Sequence, residues 1–455
     1  MNKEFLKELR KKRILILGFA KSGYQTAKVL NKLGVEVTLN CKEDLTNSKK
    51  AKELENLGVK VISGEHPLKI LDNVDLIIKN PGIRYDIEII KRAIDKKIKI
   101  YTEVEIAYRL FDNRIIAITG TNGKTTTTTL TYKLIKTKYN NAKVAGNIGF
   151  PLIKQAYEND KNEAPLVTEI SSFQLNGTEF FKPSISVITN LGKAHLDYHG
   201  SVENYHNIKK RIFKNQDEND ILILNIKDKL LYKDDNIKAK ILYYSIDDDE
   251  KADIFVKNQK IVYKNDNIID ITKILLPGRH NLENVITAVL ISLLEGVKKE
   301  QIQRIVYNFV GVEHRLQYLG EVKHIKFYND SKATNPESTV KAITGFKDNI
   351  ILIAGGKDRG IDFSELKPYL SRIKLMICIG ESKNILEKLA KSNNVKCMEA
   401  IKVEDATILA YQNAKEDDII LLSPACASWD QYPNFECRGK EFINVYKKIE
   451  NKENN

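Results

Sequence analysis

The sequence predicts an α/β protein of three domains, each built on a largely parallel sheet with helices on both faces. Three observations carry this reading. A chain of 455 residues is too long for one compact core, and about three domains is its natural division. Short apolar runs of strand character alternate with segments of helical spacing, as in doubly wound folds. Glycine and polar residues gather directly after those runs, beyond the carboxyl ends of strands, where such sheets place ligands. The divisions expected are 1–102, 103–311 and 312–455.

In the first domain Arg13 to Leu17 reads as a strand, Ser22 to Leu33 as a helix and Val35 to Leu39 as a strand. Val74 to Ile78 reads as a further strand, ending in Asn80-Pro81-Gly82. The first turn, Gly18-Phe19-Ala20-Lys21-Ser22-Gly23, has the outer glycines of a dinucleotide fingerprint but Ala20 in the middle, where a pyrophosphate needs close approach. That disfavours NAD and leaves a nucleotide diphosphate held differently, with a purely structural turn as the alternative.

The middle domain opens with the most informative stretch, Ile115 to Thr129. Five strand-forming residues run into Gly120 and Gly123, then Lys124 and Thr125, then apolar positions 130, 134 and 135 with helical spacing. This is a phosphate cradle: turned backbone N–H groups, an ammonium, a hydroxyl suited to Mg²⁺ and the positive end of a helix. The common P-loop would have glycine at 118, where this chain has Ile118, so the loop is tighter. A plain β-to-α turn is the alternative, but it does not account for a run of β-branched threonines at a helix start. Further on, Glu169 follows a short apolar strand, and a carboxylate there is costly to bury without a cation such as Mg²⁺; a partly exposed carboxylate at a strand end is the alternative. Val187 to Asn190 leads to His195, and a helix over Tyr205 to Phe213 carries Lys209, Lys210 and Arg211, either as a solvated basic face or facing phosphate. Asp220 to Lys273 holds short strands such as Ile221 to Leu224 and a hairpin at Asn258-Gln259. A helix then runs from the Pro277-Gly278-Arg279-His280-Asn281 segment to Leu294. Asn281 and Asn284 share one face of it and serve either a base or ribose or the helix cap.

The third domain repeats the pattern. Tyr328 to Pro336 reads Tyr-Asn-Asp-Ser-Lys-Ala-Thr-Asn-Pro. Strand Ile350 to Ala354 leads into Gly355 to Gly360, and strand Ile419 to Leu422 into Ser423 to Gln431. A polar tail at 451–455 is expected to fray.

Composition excludes several classes. Hydrophobic content of 42% and charged content of 29% are those of a folded soluble protein. Met1 to Arg13 lacks the apolar core of a signal peptide, and no stretch reaches the roughly 18 apolar residues of a membrane span, so a cytoplasmic protein without membrane insertion is expected. Five cysteines without metal-ligand spacing read as reduced thiols. The net charge of +13 comes from lysines scattered among acids, which suits an anionic small molecule better than nucleic acid.

Taken in order these stretches resemble the Mur ligases, ATP-dependent amide-forming enzymes of peptidoglycan precursor synthesis, over nearly the whole chain. Thr119-Gly120-Thr121-Asn122-Gly123-Lys124-Thr125, His280-Asn281 with Asn284, and His314-Arg315 are similar to signatures of the family. Asn329 to Asn335 and Leu422 to Gln431 are similar to motifs of its D-glutamate-adding branch. The resemblance implies Rossmann-like first and third domains around a P-loop ATPase-like middle domain. It also implies that a monomer adds D-glutamate to UDP-N-acetylmuramoyl-L-alanine through an acyl phosphate. By that likeness, Gly120 to Thr126 (Gly120, Thr121, Asn122, Gly123, Lys124, Thr125, Thr126) hold ATP with Asn281, Asn284, Arg315, Asp330 and Lys332. Thr125 and Glu169 ligate one Mg²⁺, and His195 and Lys209 serve a second. Lys209 is the lysine expected as a carbamate; Lys210 competes, but the spacing to Tyr205 and Arg211 selects Lys209. Lys21, Ser22, Asn40, Lys42, Asn80 and Gly82 fall in the uridine-diphosphate region, where Cys41 replaces an acidic residue common in the family. Asn147 falls nearer the muramoyl-alanine end. Thr334, Ser428 and Phe435 fall where D-glutamate is held, with Arg359, or its competitor Lys357, as the carboxylate partner. The rivals are another ligase of the superfamily, such as a folylpolyglutamate synthase, and a non-catalytic nucleotide-binding protein. The first would not need domain 1–102, and the second would be expected to lack Lys124, Glu169 or His195.

Overall fold

Ile14–Leu17 is a run of four apolar residues, every one buried, and a strand covered on both faces belongs inside a parallel sheet. It is β1 of a five-stranded sheet with β2 (Val37–Cys41), β3 (Lys60–Ser63), β4 (Leu76–Lys79) and β5 (Lys99–Tyr101), in the order β3-β2-β1-β4-β5 and parallel throughout. The order reverses between β1 and β4, so the turns after those two strands flank one crevice. The computed structural model describes residues 1–159 and 163–454.

The second sheet has nine strands: β6 (Ile115–Thr119), β7 (Lys143–Gly146), β8 (Leu166–Glu169), β9 (Ile185–Ile188), β10 (Ile221–Asn225), β11 (Lys240–Tyr244), β12 (Ile254–Lys257), β13 (Lys260–Tyr263) and β14 (Asp266–Asp270). Its order is β14-β13-β12-β11-β10-β9-β6-β8-β7, which sets β6 between β8 and β9. The pairs from β7 through β12 are parallel. The hairpin expected at Asn258-Gln259 joins antiparallel β12 and β13, both turn residues having positive φ.

The third sheet contains β15 (Gln317–Val322), β16 (Ile325–Asn329), β17 (Ile350–Gly355), β18 (Ile373–Ile379), β19 (Lys396–Glu399) and β20 (Ile419–Leu422), in the order β15-β16-β20-β17-β18-β19. Only the β15–β16 pair is antiparallel. The loops after β16, β17 and β20 therefore leave neighbouring strands at the same end.

The chain forms two compact units, Met1–Ile269 with Glu283–Ile305, and Asp270–Leu282 with Val306–Asn455. In the first, one apolar cluster runs through both sheets. Val104, Ile106 and Leu110 of the helix Glu103–Leu110 lie in it together with Ile14, Leu39, Ile115 and Leu152. The second unit has clusters on both faces of its sheet, around Leu352 and Met376 on one side and Ile353 and Ile377 on the other. Each such fully buried aliphatic side chain stabilises by about 1.5–3 kcal/mol relative to exposure.

Several boundaries differ from the sequence expectation. Val35 is not in a strand: Gly34 has φ 71° and Val35 N–H donates to Leu30 O at 3.0 Å, so both residues close the preceding helix. The next strand starts at Val37 instead. Val74 likewise precedes β4, which continues through Lys79. The polar tail does not fray at 451, because the helix Phe435–Asn454 includes it; Asn455 lies outside the described residues. All five cysteines are free, and Cys41, Cys378 and Cys426 are buried.

Candidate active site

In the first unit the loops after β6, β8 and β9 meet around Gly120. Gly120 has φ 148°, and a Cβ there would lie 1.9 Å from Thr189 Oγ1, so only glycine lets the loop turn against β9. Thr189 Oγ1 donates to Asn122 O at 2.6 Å and Asn122 N–H donates to Asn190 Oδ1 at 3.0 Å. Thr121 Oγ1 takes Gly192 N–H at 2.8 Å and lies 3.3 Å from the Tyr205 hydroxyl. Gly123, at φ 81°, caps the helix Lys124–Ile135, whose Thr126, Thr127 and Thr128 are buried. Thr127 Oγ1 donates to Asn284 Oδ1 at 3.1 Å, and a Cβ on Gly123 would strike the same oxygen at 2.3 Å. Asn284 thus packs on the phosphate loop, while Asn281 Nδ2 turns back to Pro277 O at 2.8 Å.

Two lysine side-chain nitrogens converge on one carbonyl. Lys124 Nζ donates to Gly120 O at 2.8 Å and Thr121 O at 2.9 Å, and Lys209 Nζ donates to Gly120 O at 2.7 Å. Lys209 is 1% exposed and lies over the Tyr205 ring at 4.6 Å. Burial, then the neighbouring Lys124, pushes its amine down to about 6, with Glu169 opposing. Lys210 faces elsewhere, in an ion pair with Asp235 at 2.7 Å, and Arg211 bonds the carbonyls of Asn176 and Thr178. The segment is therefore no solvated basic face.

Glu169 ends β8 and is 2% exposed. Its Oε1 accepts from Asn147 Nδ2 at 2.7 Å, but its buried Oε2 has no hydrogen-bond partner among the described residues. His195 has φ 53°, and its ring meets Phe173 edge-on at 5.0 Å. Its pKa is lowered by burial first and by Lys124 next. Behind it His199 is buried, with Nε2 3.0 Å from Ser172 Oγ; burial, His195 and Lys209 push it down to about 4. Lys124, Glu169, His195 and Lys209, scattered in sequence, come together here with Thr125 opening the helix beside Lys124. Among the described residues no group of three or more His, Cys, Asp or Glu gathers as a dedicated metal cage.

Around the first sheet, Lys21 and Ser22 open the helix after β1, with Lys21 exposed. Lys42 and Gly82 are exposed, and Asn80 is half-buried. Asn40 stands apart. It is wholly buried, donates to Ile62 O and Glu65 O, and its Oδ1 lies 2.6 Å from His66 Nδ1, so it shapes the loop after β3. Lys79 was missed by sequence reading. It is 1% exposed and holds the carbonyls of the loop that carries Asn80 and Gly82.

In the second unit Asp330 is buried and accepts from Leu316 N–H at 3.0 Å and Ser423 Oγ at 2.8 Å; burial pushes its carboxyl up to about 7. Arg315 lies next to Leu316 in that turn and is half-buried. Lys332 reaches over the Phe435 ring at 5.4 Å and Arg359 over Trp429 at 5.6 Å, both from exposed positions. Ser428 is buried and Thr334 half-buried. Lys357 is engaged with Glu381 at 2.8 Å. Arg438, also missed by sequence reading, is buried and bonds Ser331 Oγ, Ser331 O, Cys426 O and Gly355 O, so one guanidinium fixes all three loops. Neither burial has an unmistakable mark in the sequence, although Lys79 does continue the apolar run Leu76–Lys79.

Three family models match the chain in order: the Mur ligase MurD-like N-terminal domain at 12–102, the Mur ligase middle domain at 118–292 and the Mur ligase glutamate ligase domain at 314–426. The chain is 47% identical over 439 residues to a UDP-N-acetylmuramoylalanine--D-glutamate ligase of Staphylococcus haemolyticus, covering 96% of this chain and 97% of that one. It is 46% identical, with the same coverage, to the enzyme of that name from Staphylococcus aureus. Among solved structures it is similar to UDP-N-acetylmuramate-alanine ligase from Thermotoga maritima, with TM-score 0.57, 18% identity and coverage of 96% and 99%. It is also similar to the ADP-complexed MurF ligase of that organism, with TM-score 0.54, 16% identity and coverage of 97% and 98%. At these identities the two structures speak for the fold alone. The relatives over nearly the full length, with the ordered family matches, establish that this chain belongs to the Mur ligase family.

Proposed function

We propose that this protein is the ligase that joins D-glutamate to UDP-N-acetylmuramoyl-L-alanine at the expense of ATP, acting as a cytoplasmic monomer. The observation that carries the reading is the pair of lysine nitrogens, of Lys124 and Lys209, on Gly120 O beside a buried carboxylate, in a chain 47% identical to a ligase of that name. The terminal carboxylate of the alanyl substrate would attack the γ-phosphorus of ATP, giving an acyl phosphate and ADP. The amine of D-glutamate would then add to the acyl carbon, and collapse would release inorganic phosphate and a proton with the new amide. A carboxylate does not acylate an amine unactivated, and the protein's part is positioning and charge stabilisation.

Each predicted domain has a part. Residues 1–102 would hold the uridine diphosphate through Lys21, Ser22, Lys42, Asn80 and Gly82, with Asn40 shaping the wall. In 103–311, Gly120 to Thr126 and Asn284 would cradle the triphosphate, and Asn147 would steer the muramoyl-alanine arm. Asn281 of that domain would join Arg315, Asp330 and Lys332, from 312–455, on the nucleotide. Thr334, Ser428, Phe435 and Arg359 would bind D-glutamate. Arg359 is chosen over Lys357 because Lys357 is already paired with Glu381 and a guanidinium can grip a carboxylate with two hydrogen bonds.

Mg²⁺ fits the corner at Glu169. A buried carboxylate oxygen lacks a partner there among the described residues, and few protein oxygens suffice for this ion when phosphates and water complete its shell. Thr125 and Glu169 would hold one ion and His195 with Lys209 another; bound ions would neutralise phosphate charge. Lys209 suits carbamylation because its depressed pKa leaves a neutral amine, which adds to CO₂ with loss of a proton.

The test is phosphate release with ATP and UDP-N-acetylmuramoyl-L-alanine across a panel of amino acids. Release dependent on D-glutamate is expected. Equal release with L-glutamate or L-alanine would refute the assignment.

A further inference from the structure

Lys79 closes β4 with its ammonium inside the protein. Nζ lies 2.6 Å from Ile83 O, 3.2 Å from Asn80 O, 3.2 Å from Pro81 O and 3.4 Å from the Tyr198 hydroxyl. The Tyr85 ring lies 4.7 Å away, and none of these partners is a carboxylate. Burying a cation without a carboxylate is expensive, and burial pushes this amine down to about 7, so the carbonyls and the hydroxyl around Nζ are what favour its protonated form. Two consequences follow from the geometry. In a trans peptide the N–H points opposite to the C=O. Drawing the carbonyls of Pro81 and Ile83 inward therefore turns the N–H groups of Gly82 and Arg84 away from Lys79 Nζ; Gly82 N–H makes a long 3.4 Å bond to Asn80 Oδ1, and with the main-chain carbonyls turned in, the outer side of the loop favours an anion. The same ammonium also reaches across to the middle domain. Tyr198 belongs to the helix Leu196–His199 directly after His195, its hydroxyl also donates to Ile83 O at 3.3 Å, and its ring packs on Phe173 at 4.6 Å, which itself contacts His195. The other charges nearby are already engaged: Arg84 pairs with Asp86 at 2.7 Å and donates to Asp197 O at 2.8 Å.

We infer that Lys79 is a positioning residue for the diphosphate-bearing substrate, turning the Asn80–Ile83 carbonyls inward and tying that loop to the segment that carries His195. The inference rests on the function proposed above but has its own failure mode. Lys79→Met keeps length and apolar burial and removes every N–H. In steady-state phosphate release its KM for UDP-N-acetylmuramoyl-L-alanine should rise about tenfold, while the KM values for ATP and D-glutamate stay within about twofold. Tyr198→Phe, which keeps the ring and its packing, should raise the same KM by about threefold, and the double variant should be no worse than Lys79→Met by more than about twofold, because both act through one contact. A purely structural lysine would lower the active fraction and leave all three KM values alone. That result, or parallel shifts in all three, would overturn the inference. If Lys79→Met does not fold, an unchanged KM in Tyr198→Phe is the overturning result. A wild-type protein without turnover would refute the function instead. UDP titrated calorimetrically into both proteins then decides the role of Lys79, with about tenfold weaker binding to Lys79→Met expected and equal binding overturning it.

Discussion

The loop around Gly120 in the first unit, proposed to hold phosphate, and the loops around Arg438 in the second, proposed to hold D-glutamate, are built on different architectures. Around Gly120 the titratable groups are internal: Lys209 is buried, Lys124 is folded onto the loop's own carbonyls, and Glu169 presents a buried oxygen without a partner among the described residues. Around Arg438 it is the wall that is internal. Ser331, Cys426 and Gly355 are fixed by one buried guanidinium, while the cationic ends of Lys332 and Arg359 stand outside and rest on aromatic rings. A field that must oppose a triphosphate works best when it is set before the substrate arrives. The proposed site for a small amino acid instead pairs a firm wall with cations at its edge.

The contrast breaks most sharply at its strongest point. Lys124→Met should lower kcat by about a thousandfold, whereas Lys332→Met should lower kcat/KM by only about tenfold. Initial rates on the two variants check this, and equal losses would erase the distinction. Next is Lys209→Ala, expected to lose at least about a hundredfold, with partial rescue by short-chain carboxylic acids. Lys210→Ala should keep activity within about threefold, because it removes only a partly exposed ion pair. Rescue in the second variant and not the first would move the assignment by one residue.

Strand, glycine turn and helix at 115–135 were legible in the sequence because local chemistry specifies them: only glycine fits φ 148° against Thr189. Glu169 was legible as a carboxylate ending an apolar run. Which of two adjacent lysines faces the loop was chosen by spacing to Tyr205 and Arg211, and the burial of Lys209 against the ion pair of Lys210 sets the two apart. Lys79 and Arg438 were invisible, because a lysine at a strand end and an arginine in a helix read as surface residues until the tertiary packing closes over them. Asn40, expected in the substrate region, makes its hydrogen bonds to Ile62 at the end of β3 and to Glu65 and His66 after it, partners 22 to 26 residues away that no local pattern reveals.

Smaller effects sharpen the second unit. Arg359→Ala should raise the KM for D-glutamate about tenfold, and Lys357→Ala no more than about twofold. The reverse order would reassign the carboxylate partner. Asp330 offers a stability test. Its folded pKa of about 7 stands above the ordinary 3.8, so the native state holds a proton that the unfolded chain releases. Stability from this group is complete below the unfolded value and is lost as pH rises through about 7. Asp330→Asn should therefore gain about 2–4 °C in Tm over wild type at about pH 8 and gain less at about pH 5. Thermal scans at both values check it, and an equal shift at both would contradict the buried, proton-holding Asp330.

The most direct test of the central claim, that this loop converts a carboxylate into an acyl phosphate, follows oxygen. With ¹⁸O in both carboxylate positions of UDP-N-acetylmuramoyl-L-alanine, one labelled oxygen should appear in the inorganic phosphate of each turnover and the other should stay in the amide. Unlabelled phosphate alongside amide product would contradict the account.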